Sequence, residues 1–537
     1  MPTKIVALAC LCAPLLAAQE APSSVLSAIQ PSWIAPHIRF LASDLLEGRE
    51  TTKRGVKLAA DYVASQFETL GLEPASSEGF VLRMPMRHST VDGTPTLALE
   101  GKSGRRELVY GTDFLVQPDL VRDQVILDAP LVFVGYGLSL PAFGYDEYAG
   151  IDVKGKIVVL IPGGPEKIPS DERGHTTLFA SKEATAKAHG ALGVVTLLPA
   201  PAALIKERVF RQLSGYSWRG ADGVPHTLFF ESAATPRLAG PGTNALFELA
   251  GRQLSDVLPR LQQGTPQSFD MGVRMSFSGR FTQVDTASWN TAGIVRGSDP
   301  ALRDEYVVYS AHMDHVGMGA PVNGDSVHHG ALDNAGGTAT LIAMARAFKS
   351  LPTPPRRSVL FVAVSGEEKG ILGSDYFVRN SPVPVERIVA DVNMDNYLML
   401  AEVKDLAAYG ASYSTLDEVV KKSLGTLGIA VSPDAAPEQT IFTRSDHYPF
   451  MRRGIPAVML FNGQQSGDKG RDGSTMLRQW LGNVHHTPRD TYEQGIDWSA
   501  GVSYARANFL IGYSVATMTE RPRWKGQYFF MERPSTP

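Results

Sequence analysis

The sequence predicts an α/β protein with a mainly parallel central sheet flanked by helices, and a separate, smaller β-rich region. Two observations carry this prediction. From about residue 286 onwards, short apolar strands alternate with helical segments, which is the pattern of a mainly parallel sheet. Over about 128–198, short apolar strands are instead bounded by Gly and Pro. With 537 residues, 43% of them hydrophobic, the chain has enough material for two or three domains.

The first element with clear periodicity is a helix over 56–70. Its apolar residues recur three and four positions apart, and Gly71 follows as a C-cap, so we interpret it as a packing helix. In the β-rich region the pattern predicts strands over 131–134, 156–161 and 194–198, and a helix over 181–189. No cluster of titratable residues recurs in this region.

The strands of the predicted sheet come from the C-terminal half of the chain. Apolar runs predict strands over 306–310, 359–364, 388–392 and 457–461. An amphipathic helix is predicted over 337–349.

The charge balance excludes one class of partner. The chain has 51 Lys and Arg against 55 Asp and Glu, a formal net charge of −4, so no basic surplus points to nucleic acid. No transmembrane segment is predicted after the N-terminus, because no run of 18 or more apolar residues occurs. The oligomeric state stays open.

Both cysteines, Cys10 and Cys12, lie in a segment over 1–18 that we interpret as a secretory signal. Lys4 supplies the positive charge, a short apolar run follows, and Ala17 and Ala18 offer a cleavage site. The alternative is a buried N-terminal strand or helix. We expect export to the periplasm or the medium, and a mature protein without cysteine. That excludes thiol chemistry and a cysteine-based zinc site.

Acids and histidines gather directly after the predicted strands. Sites in open α/β sheets form outside the carboxyl ends of strands, so these side chains are expected to share one edge. Crowded carboxylates need cations, and imidazole with carboxylate is a ligand set for zinc. Two zinc ions sharing one bridging carboxylate would need about five ligands, which leaves one glutamate as a base. The residues are His312, Asp314, Asp333, Glu367, Glu368, Asp395 and His486.

Each of these residues also has a purely structural interpretation. A lone histidine after a strand is usually a surface or core residue, a Glu-Glu pair is typical of a solvated loop, and Asp333 would serve as a helix N-cap. Taken jointly, their placement at strand ends favours a site. Four other histidines we interpret as surface or core residues: His315, His328, His329 and His485.

The strings AHMDH, GALDNAGG, SGEEKGILGS, NMDN and HHTPRDT resemble, in this order, the motifs of the co-catalytic di-zinc aminopeptidase family. Residues 40–75 resemble the opening of its bacterial members, and about 128–198 resembles their inserted protease-associated (PA) domain. The resemblance implies a zinc-exopeptidase, phosphorylase/hydrolase-like fold. Its catalytic domain would comprise 19–120 and 275–537, with a β-rich PA-like insert over 121–274.

The resemblance assigns the metal ligands residue by residue. His312 and Asp395 would bind one zinc, and Glu368 and His486 the other. Asp333 would bridge the two ions, which makes two Zn²⁺ per chain.

Three further residues receive roles from the same resemblance. Asp314 would orient His312 as an outer carboxylate. Glu367 would be the general base that takes a proton from water and returns it to the leaving amine. The segment 444–450 resembles the family's S-D-[HY]-x-x-F loop, in which His447 would donate to the developing oxyanion, with Tyr448 as second choice. Phe442 stands where one subgroup has a tyrosine, and a plain packing loop is the alternative.

The implied function is that of an exported zinc-dependent exopeptidase, in the first place an aminopeptidase acting on peptide substrates. A dipeptidase or a glutamate-carboxypeptidase-like enzyme stays open. More distant alternatives are a glutaminyl cyclase with one zinc and a non-catalytic binding module on the same fold. The sequence has no G-x-S-x-G elbow and no H-E-x-x-H motif, which argues against a serine hydrolase and a zincin. The PA-like region would either cap the cleft or act as a spacer.

Overall fold

The computed structural model describes residues 20–198, 215–228, 235–395, 397–467, 472–526 and 529–532. The predicted signal segment over 1–18, with both cysteines, lies outside the described residues, as does Asn396. None of the helices in these ranges has the length and apolar character needed to cross a membrane.

Helices and strands alternate along most of the described chain. The helices are α1 (Ser23–Ala28), α2 (Ala35–Leu41), α3 (Arg54–Thr69), α4 (Ser170–Thr177), α5 (Phe179–Ala188), α6 (Gly240–Leu249), α7 (Leu254–Gln262), α8 (Gly336–Lys349), α9 (Leu372–Arg379), α10 (Leu416–Thr426), α11 (His447–Arg452), α12 (Gly473–Asn483) and α13 (Trp498–Thr517). The strands are β1 (Glu73–Pro74), β2 (Val81–Gly101), β3 (Gly104–Leu108), β4 (Phe114–Gln117), β5 (Gln124–Val134), β6 (Ser139–Leu140), β7 (Tyr145–Asp146), β8 (Ile157–Leu160), β9 (Gly193–Leu197), β10 (Gly215–Arg219), β11 (Pro225–His226), β12 (Thr235–Leu238), β13 (Ser268–Val295), β14 (Tyr306–His312), β15 (Met318–Val322), β16 (Asp325–Val327), β17 (Ser358–Val364), β18 (Ile388–Asn393), β19 (Asp405–Tyr409), β20 (Ala430–Val431) and β21 (Ala457–Asn462).

The C-terminal part of the sheet has the strand order β13-β17-β14-β18-β21-β19-β20. The four central strands, β17, β14, β18 and β21, are mutually parallel. β13 and β19 flank them in antiparallel orientation. Parallel central strands bring their carboxyl ends to one edge, which is where a site can be assembled from several elements.

The central strands are buried along their whole length. Their sequences are nearly continuous runs of apolar and β-branched residues, as expected for strands covered on both faces. α8 and α13 pack against β14, and α13 approaches it closely. A Cβ at Gly512 would lie 2.0 Å from the Tyr309 hydroxyl oxygen, so only glycine permits this packing. The large apolar core around this sheet fixes the positions of the strand ends.

A second apolar core is built from residues between Leu97 and Phe281. It is joined to the first by two long antiparallel strands, β2 and β13, which run through both regions. The predicted insert boundaries at 121 and 274 therefore fall within this second core, because β2 already contributes Leu97 and Leu99 to it. The identity of this region as a PA domain stays a prediction.

The predicted fold class of a mixed α/β protein with a mostly parallel central sheet is confirmed. Every strand and helix predicted from apolar runs is present, with ends shifted by at most two residues except in β5, which begins at Gln124, seven residues before the predicted start at 131. The long strands β2 and β13 were not predicted.

Candidate metal centre

The ends of three parallel strands deliver four of the predicted site residues. His312 is the last residue of β14. Glu367 and Glu368 follow β17, and Asp395 follows β18. Because β14 lies between β17 and β18, its terminal histidine is flanked on both sides by carboxylates.

A tight turn over 331–335, directly before α8, presents Asp333 to the same edge. The amide of Asn334 donates to the backbone oxygens of Met394 (2.9 Å) and His312 (3.3 Å), which ties the turn to two strand ends. Gly330 precedes the turn at φ 59°, and a Cβ there would lie 2.3 Å from the Asp333 carbonyl oxygen. The turn can take this shape because glycine tolerates both constraints.

The HHTPRDT segment closes the site after α12. The carboxylate of Asp490 accepts the backbone N–H groups of Leu332 (2.9 Å) and Asp333 (3.0 Å). It thereby fixes the turn that carries Asp333. His486 has φ 55°, and its ring enters the cluster from this segment.

Two groups of residues are arranged so that each can hold a metal ion, and they share Asp333. The first group is His312, Asp333 and Asp395. His312 Nε2 lies 3.0 Å from Asp395 Oδ1 and 3.4 Å from Asp333 Oδ1. All three side chains are buried.

The second group is His315, Asp333, Glu368 and His486. His486 Nε2 lies 2.9 Å from Glu368 Oε2 and 3.1 Å from Asp333 Oδ2. His315 Nδ1 lies 2.8 Å from Glu368 Oε1. Several of these buried atoms, including Asp333 Oδ2 and Glu368 Oε1, have no hydrogen-bond partner among the described residues. Unsatisfied buried donors and acceptors are costly, so their convergence fits a bound cation.

The pKa values in the cluster reflect the proximity of buried carboxylates and imidazoles. Burial alone would lower the pKa of His486, but the carboxylates of Glu368 and Asp333 raise it to about 10. Burial would raise the pKa of Asp333, yet the neighbouring imidazoles of His312, His485 and His486 hold it well below its usual range. The pKa of Glu368 is likewise held below its usual range, against burial, by the neighbouring histidines. Ionised carboxylates beside imidazoles form a donor set for a divalent cation such as zinc.

Glu367 lies beside this cluster and is partly exposed. Burial of its carboxyl and the nearby Asp395 and Glu368 raise its pKa well above the usual range. A carboxyl with a raised pKa beside a cluster of this kind is suited to accept and return a proton.

Asp314 is placed differently from the prediction. Its carboxylate lies 3.8 Å from His312 Nδ1, whereas its backbone oxygen lies 3.1 Å from that nitrogen. The carboxylate instead accepts the Thr51 hydroxyl (2.7 Å) and the Glu367 backbone N–H (3.3 Å). Asp314 thus orients His312 through its main chain and positions Glu367 through its side chain.

His447 begins α11 and is fully buried. Burial lowers its pKa to about 3, against a backbone hydrogen bond at Phe442, so the ring is neutral at pH 7 with one N–H to donate. Its neighbour Asp446 lies near enough to His312 and Asp395 for both to influence its pKa, which burial raises to about 7. Tyr448, the second predicted candidate, contacts His175 of α4.

The structure brings all five predicted metal ligands together and adds His315 and His485, which the sequence analysis interpreted as surface or core residues, and Asp490, to which it gave no role. His315 joins the second group, and His485 Nε2 lies 3.1 Å from Asp333 Oδ2. Asp490 supports the Asp333 turn. His315 and Asp490 lie inside the quoted motifs AHMDH and HHTPRDT, which is the only signal that could have indicated them. His328 and His329 are buried outside both groups.

Comparison with known protein families finds a match in the part of the chain that contains both groups. The model of "Peptidase family M28" matches over residues 290–510, which contain both groups. Residues 290–510 belong to peptidase family M28. The resemblance drawn from the five motifs is therefore confirmed at the level of the family.

Curated relatives of this chain include several aminopeptidases. Leupeptin-inactivating enzyme 1 of Streptomyces exfoliatus is 27% identical over 184 residues, which is 34% of this chain and 38% of that protein. Aminopeptidase YwaD of Bacillus subtilis (strain 168) is 28% identical over 212 residues, 39% of this chain and 41% of that one. The chain thus spans less than half the length of these curated relatives. The aminopeptidase structure from Aneurinibacillus sp. strain AM-1 shares the fold, with TM-score 0.53 and 17% identity over 96% of this chain and 100% of that one.

Proposed function

We propose that this protein is an exported zinc-dependent exopeptidase, in the first place an aminopeptidase that removes N-terminal residues from peptides. The observation that carries the proposal is the pair of His/carboxylate groups sharing the buried Asp333, with Glu367 beside them. The names of the M28 relatives, several of them aminopeptidases, support the same reaction class.

The two groups would hold two zinc ions, one with His312 and Asp395, the other with Glu368 and His486, and Asp333 in both. When bound, such a pair supplies a Lewis acid for the scissile carbonyl and an acidic water. Glu367 would take a proton from the attacking water and deliver it to the leaving amine. The neutral ring of His447 donates a hydrogen bond to the carbonyl oxygen as charge develops on it.

Two parts of the proposal concern segments outside the metal centre. We propose that residues 1–18 direct export and are removed, which sequencing the N-terminus of periplasmic or secreted protein would test. We propose that the second core corresponds to a PA-like insert next to the cleft.

Replacement of Glu367 tests the reaction. In Glu367→Gln the side chain keeps its shape but cannot accept a proton. Turnover of aminoacyl-p-nitroanilides should fall by about 10²–10⁴-fold with zinc content unchanged. The exposed Glu248→Gln is the matched control, and its turnover should equal that of wild type. Retained turnover in Glu367→Gln would remove Glu367 as the base. Dipeptides and peptides with C-terminal glutamate in the same panel decide between the exopeptidase classes.

Replacement of Asp333 tests the two-metal arrangement. Because Asp333 belongs to both groups, Asp333→Ala should lose both zinc ions together, as measured by metal analysis after dialysis. Asp299→Ala, at a turn before the opposite end of β14, should keep both ions. Loss of one ion alone would refute the shared role, and a single zinc in wild type would refute the two-metal proposal.

A further inference from the structure

The two groups that share Asp333 are unequal in size. One contains three residues and the other contains four, and the difference is His315. This histidine follows His312 by three residues in AHMDH, and the motif resemblance gives it no role. Its position relative to the second group therefore needs its own explanation.

His315 is a buried imidazole without a hydrogen bond. Its side chain is 0% exposed, and neither ring nitrogen has a hydrogen-bond partner among the described residues. Nδ1 lies 2.8 Å from Glu368 Oε1, yet the two atoms do not have hydrogen-bond geometry. A packing histidine usually satisfies at least one ring nitrogen, because a buried polar atom without a partner is energetically costly.

The spacing of the four ligand atoms fits one ion. A tetrahedral zinc with bonds of about 2.0–2.1 Å places its ligand atoms about 3.3–3.4 Å from one another. Around His486 Nε2 the distances are 2.9 and 3.1 Å, and His315 Nδ1 lies 2.8 Å from Glu368 Oε1 and 3.8 Å from Asp333 Oδ2. These values bracket the tetrahedral spacing.

The backbone around His315 holds the ring in this position. The N–H of His315 donates to the carbonyl oxygen of Arg49 (3.2 Å). On the other side, a Cβ at Gly330 would lie 2.6 Å from Cγ of the imidazole, so the turn leading to Asp333 packs directly on the ring. The ring is thus fixed between two segments of the site.

His485 offers a contrast within the same cluster. Its Nε2 lies 3.1 Å from Asp333 Oδ2. It stacks on His486 with ring centroids 3.7 Å apart and belongs to neither group. His485 therefore lies beside one member of the cluster, whereas His315 belongs to the four-residue group.

We propose that His315 is a fourth protein ligand of the metal position formed by Asp333, Glu368 and His486. The inference rests on the proposed function, since it concerns one of the two zinc positions. It makes the pair unequal: the four-ligand position binds its ion more tightly, and the three-ligand position keeps more open coordination for substrate.

Replacement of His315 by cysteine, followed by loading with Co²⁺, tests directly whether this residue is a ligand. Outside 1–18 the sequence has no cysteine, so a thiolate-to-cobalt charge-transfer band can come only from the introduced residue. In His315→Cys the thiolate starts near the position of Nδ1, the ring nitrogen closer to the backbone. Mature, metal-free protein loaded with two equivalents of Co²⁺ should show the band in this variant. His329→Cys, buried outside both groups, is the matched control and should show none.

A zinc titration of the metal-free protein supplies a second readout. With a chromophoric chelator in competition, wild type should bind two zinc ions in two steps. In His315→Ala the tighter step should weaken by more than the about 10–100-fold that loss of an outer-sphere partner costs, while His329→Ala should leave it unchanged.

The outcomes separate the inference from the proposed function. If wild type binds two ions and His315→Cys shows no charge-transfer band, or if His315→Ala keeps the tighter step, His315 is not a ligand and the proposed function stands. If wild type binds fewer than two ions, the two-metal function itself fails.

Discussion

Arg49 forms hydrogen bonds to several of the loops that surround the candidate metal centre. Its guanidinium is fully buried and donates to the carbonyl oxygens of Met313 (2.8 Å), His329 (2.8 Å) and Gly330 (2.9 Å), and to that of Leu41. Burial lowers its pKa to about 10, against the opposing effect of the site carboxylates, so it stays charged at neutral pH. One side chain thus links α2, the segment after His312 and the turn before Asp333.

Removal of this guanidinium should destabilise the fold. In Arg49→Met the four carbonyl oxygens lose their donor, and we expect the free energy of unfolding to fall by about 3–5 kcal/mol. Urea denaturation measures it. The exposed Arg39→Met, which loses a contact with the Tyr492 hydroxyl (3.0 Å), should cost less than about 1 kcal/mol. An equal loss in the free energy of unfolding for the two substitutions would show that the hydrogen bonds of Arg49 do not stabilise the loops.

At the residue scale, the sequence could predict ligands only where a motif or a strand end indicated them. His312 and Asp395 follow apolar runs, and the resemblance indicated Asp333, Glu368 and His486. His315 could not be separated from a packing histidine, because its relation to Glu368 depends on how β14 and β17 pair. The contact of the Asp314 carboxylate with Thr51 could not be predicted for a similar reason, since Thr51 lies far away in the chain.

At the scale of elements, α4 packs against the loop that leads to His447. The hydroxyl of Ser170 donates to the Pro437 carbonyl oxygen (2.9 Å), and the Tyr413 hydroxyl donates to Asp171 (3.0 Å). Gly174 of α4 faces Thr443, three residues before Asp446. The position of the His447 loop therefore depends on a helix from another part of the chain.

A larger side chain at Gly174 should disturb this contact without touching a metal ligand. A Cβ there would lie 2.9 Å from Thr443 Oγ1, so Gly174→Leu must move α4 or the loop. We expect kcat/KM to fall by about 10–100-fold, because a displacement of about 1 Å at a reacting group has this effect, while zinc content stays at the wild-type value.

Gly425→Leu is the matched control, since a Cβ at this exposed helical glycine meets nothing within 4 Å. Its kcat/KM should equal that of wild type. Unchanged turnover in Gly174→Leu would show that α4 is a spacer with no influence on His447.

The elements differ in how far the sequence could predict them. β14, β17, β18 and β21 are buried on both faces, so their apolar runs stand out. β13 alternates between buried and exposed positions over much of its 28 residues and carries many polar side chains. Its extent follows from pairing with β2 and β5, which no local pattern encodes.

Across the whole molecule, three fully or partly buried histidines outside the metal groups share one property. Burial lowers the pKa of His37 to about 4, that of His175 to about 4 and that of His447 to about 3. They lie in three separate helices, α2, α4 and α11. All three rings are neutral in the folded protein at pH 7.

These depressed values set the sign of the pH dependence. Below the ordinary histidine pKa of about 6.5, the unfolded chain takes up protons that the folded protein does not accept until about pH 4. The free energy of unfolding should therefore decrease as the pH falls from 6.5 to 4. The contribution is fully present above pH 6.5.

Replacement of His37 measures the contribution of a single histidine away from the metal centre. Its ring contacts the Tyr62 hydroxyl (2.8 Å). In His37→Gln the decline between pH 6.5 and 4 should be shallower by up to about 1.4 kcal/mol per pH unit, the slope for one proton. Urea denaturation at each pH measures the slope. The exposed His189→Gln should follow wild type. A slope in His37→Gln equal to that of wild type would mean that this histidine is protonated in the folded protein as readily as in the unfolded chain.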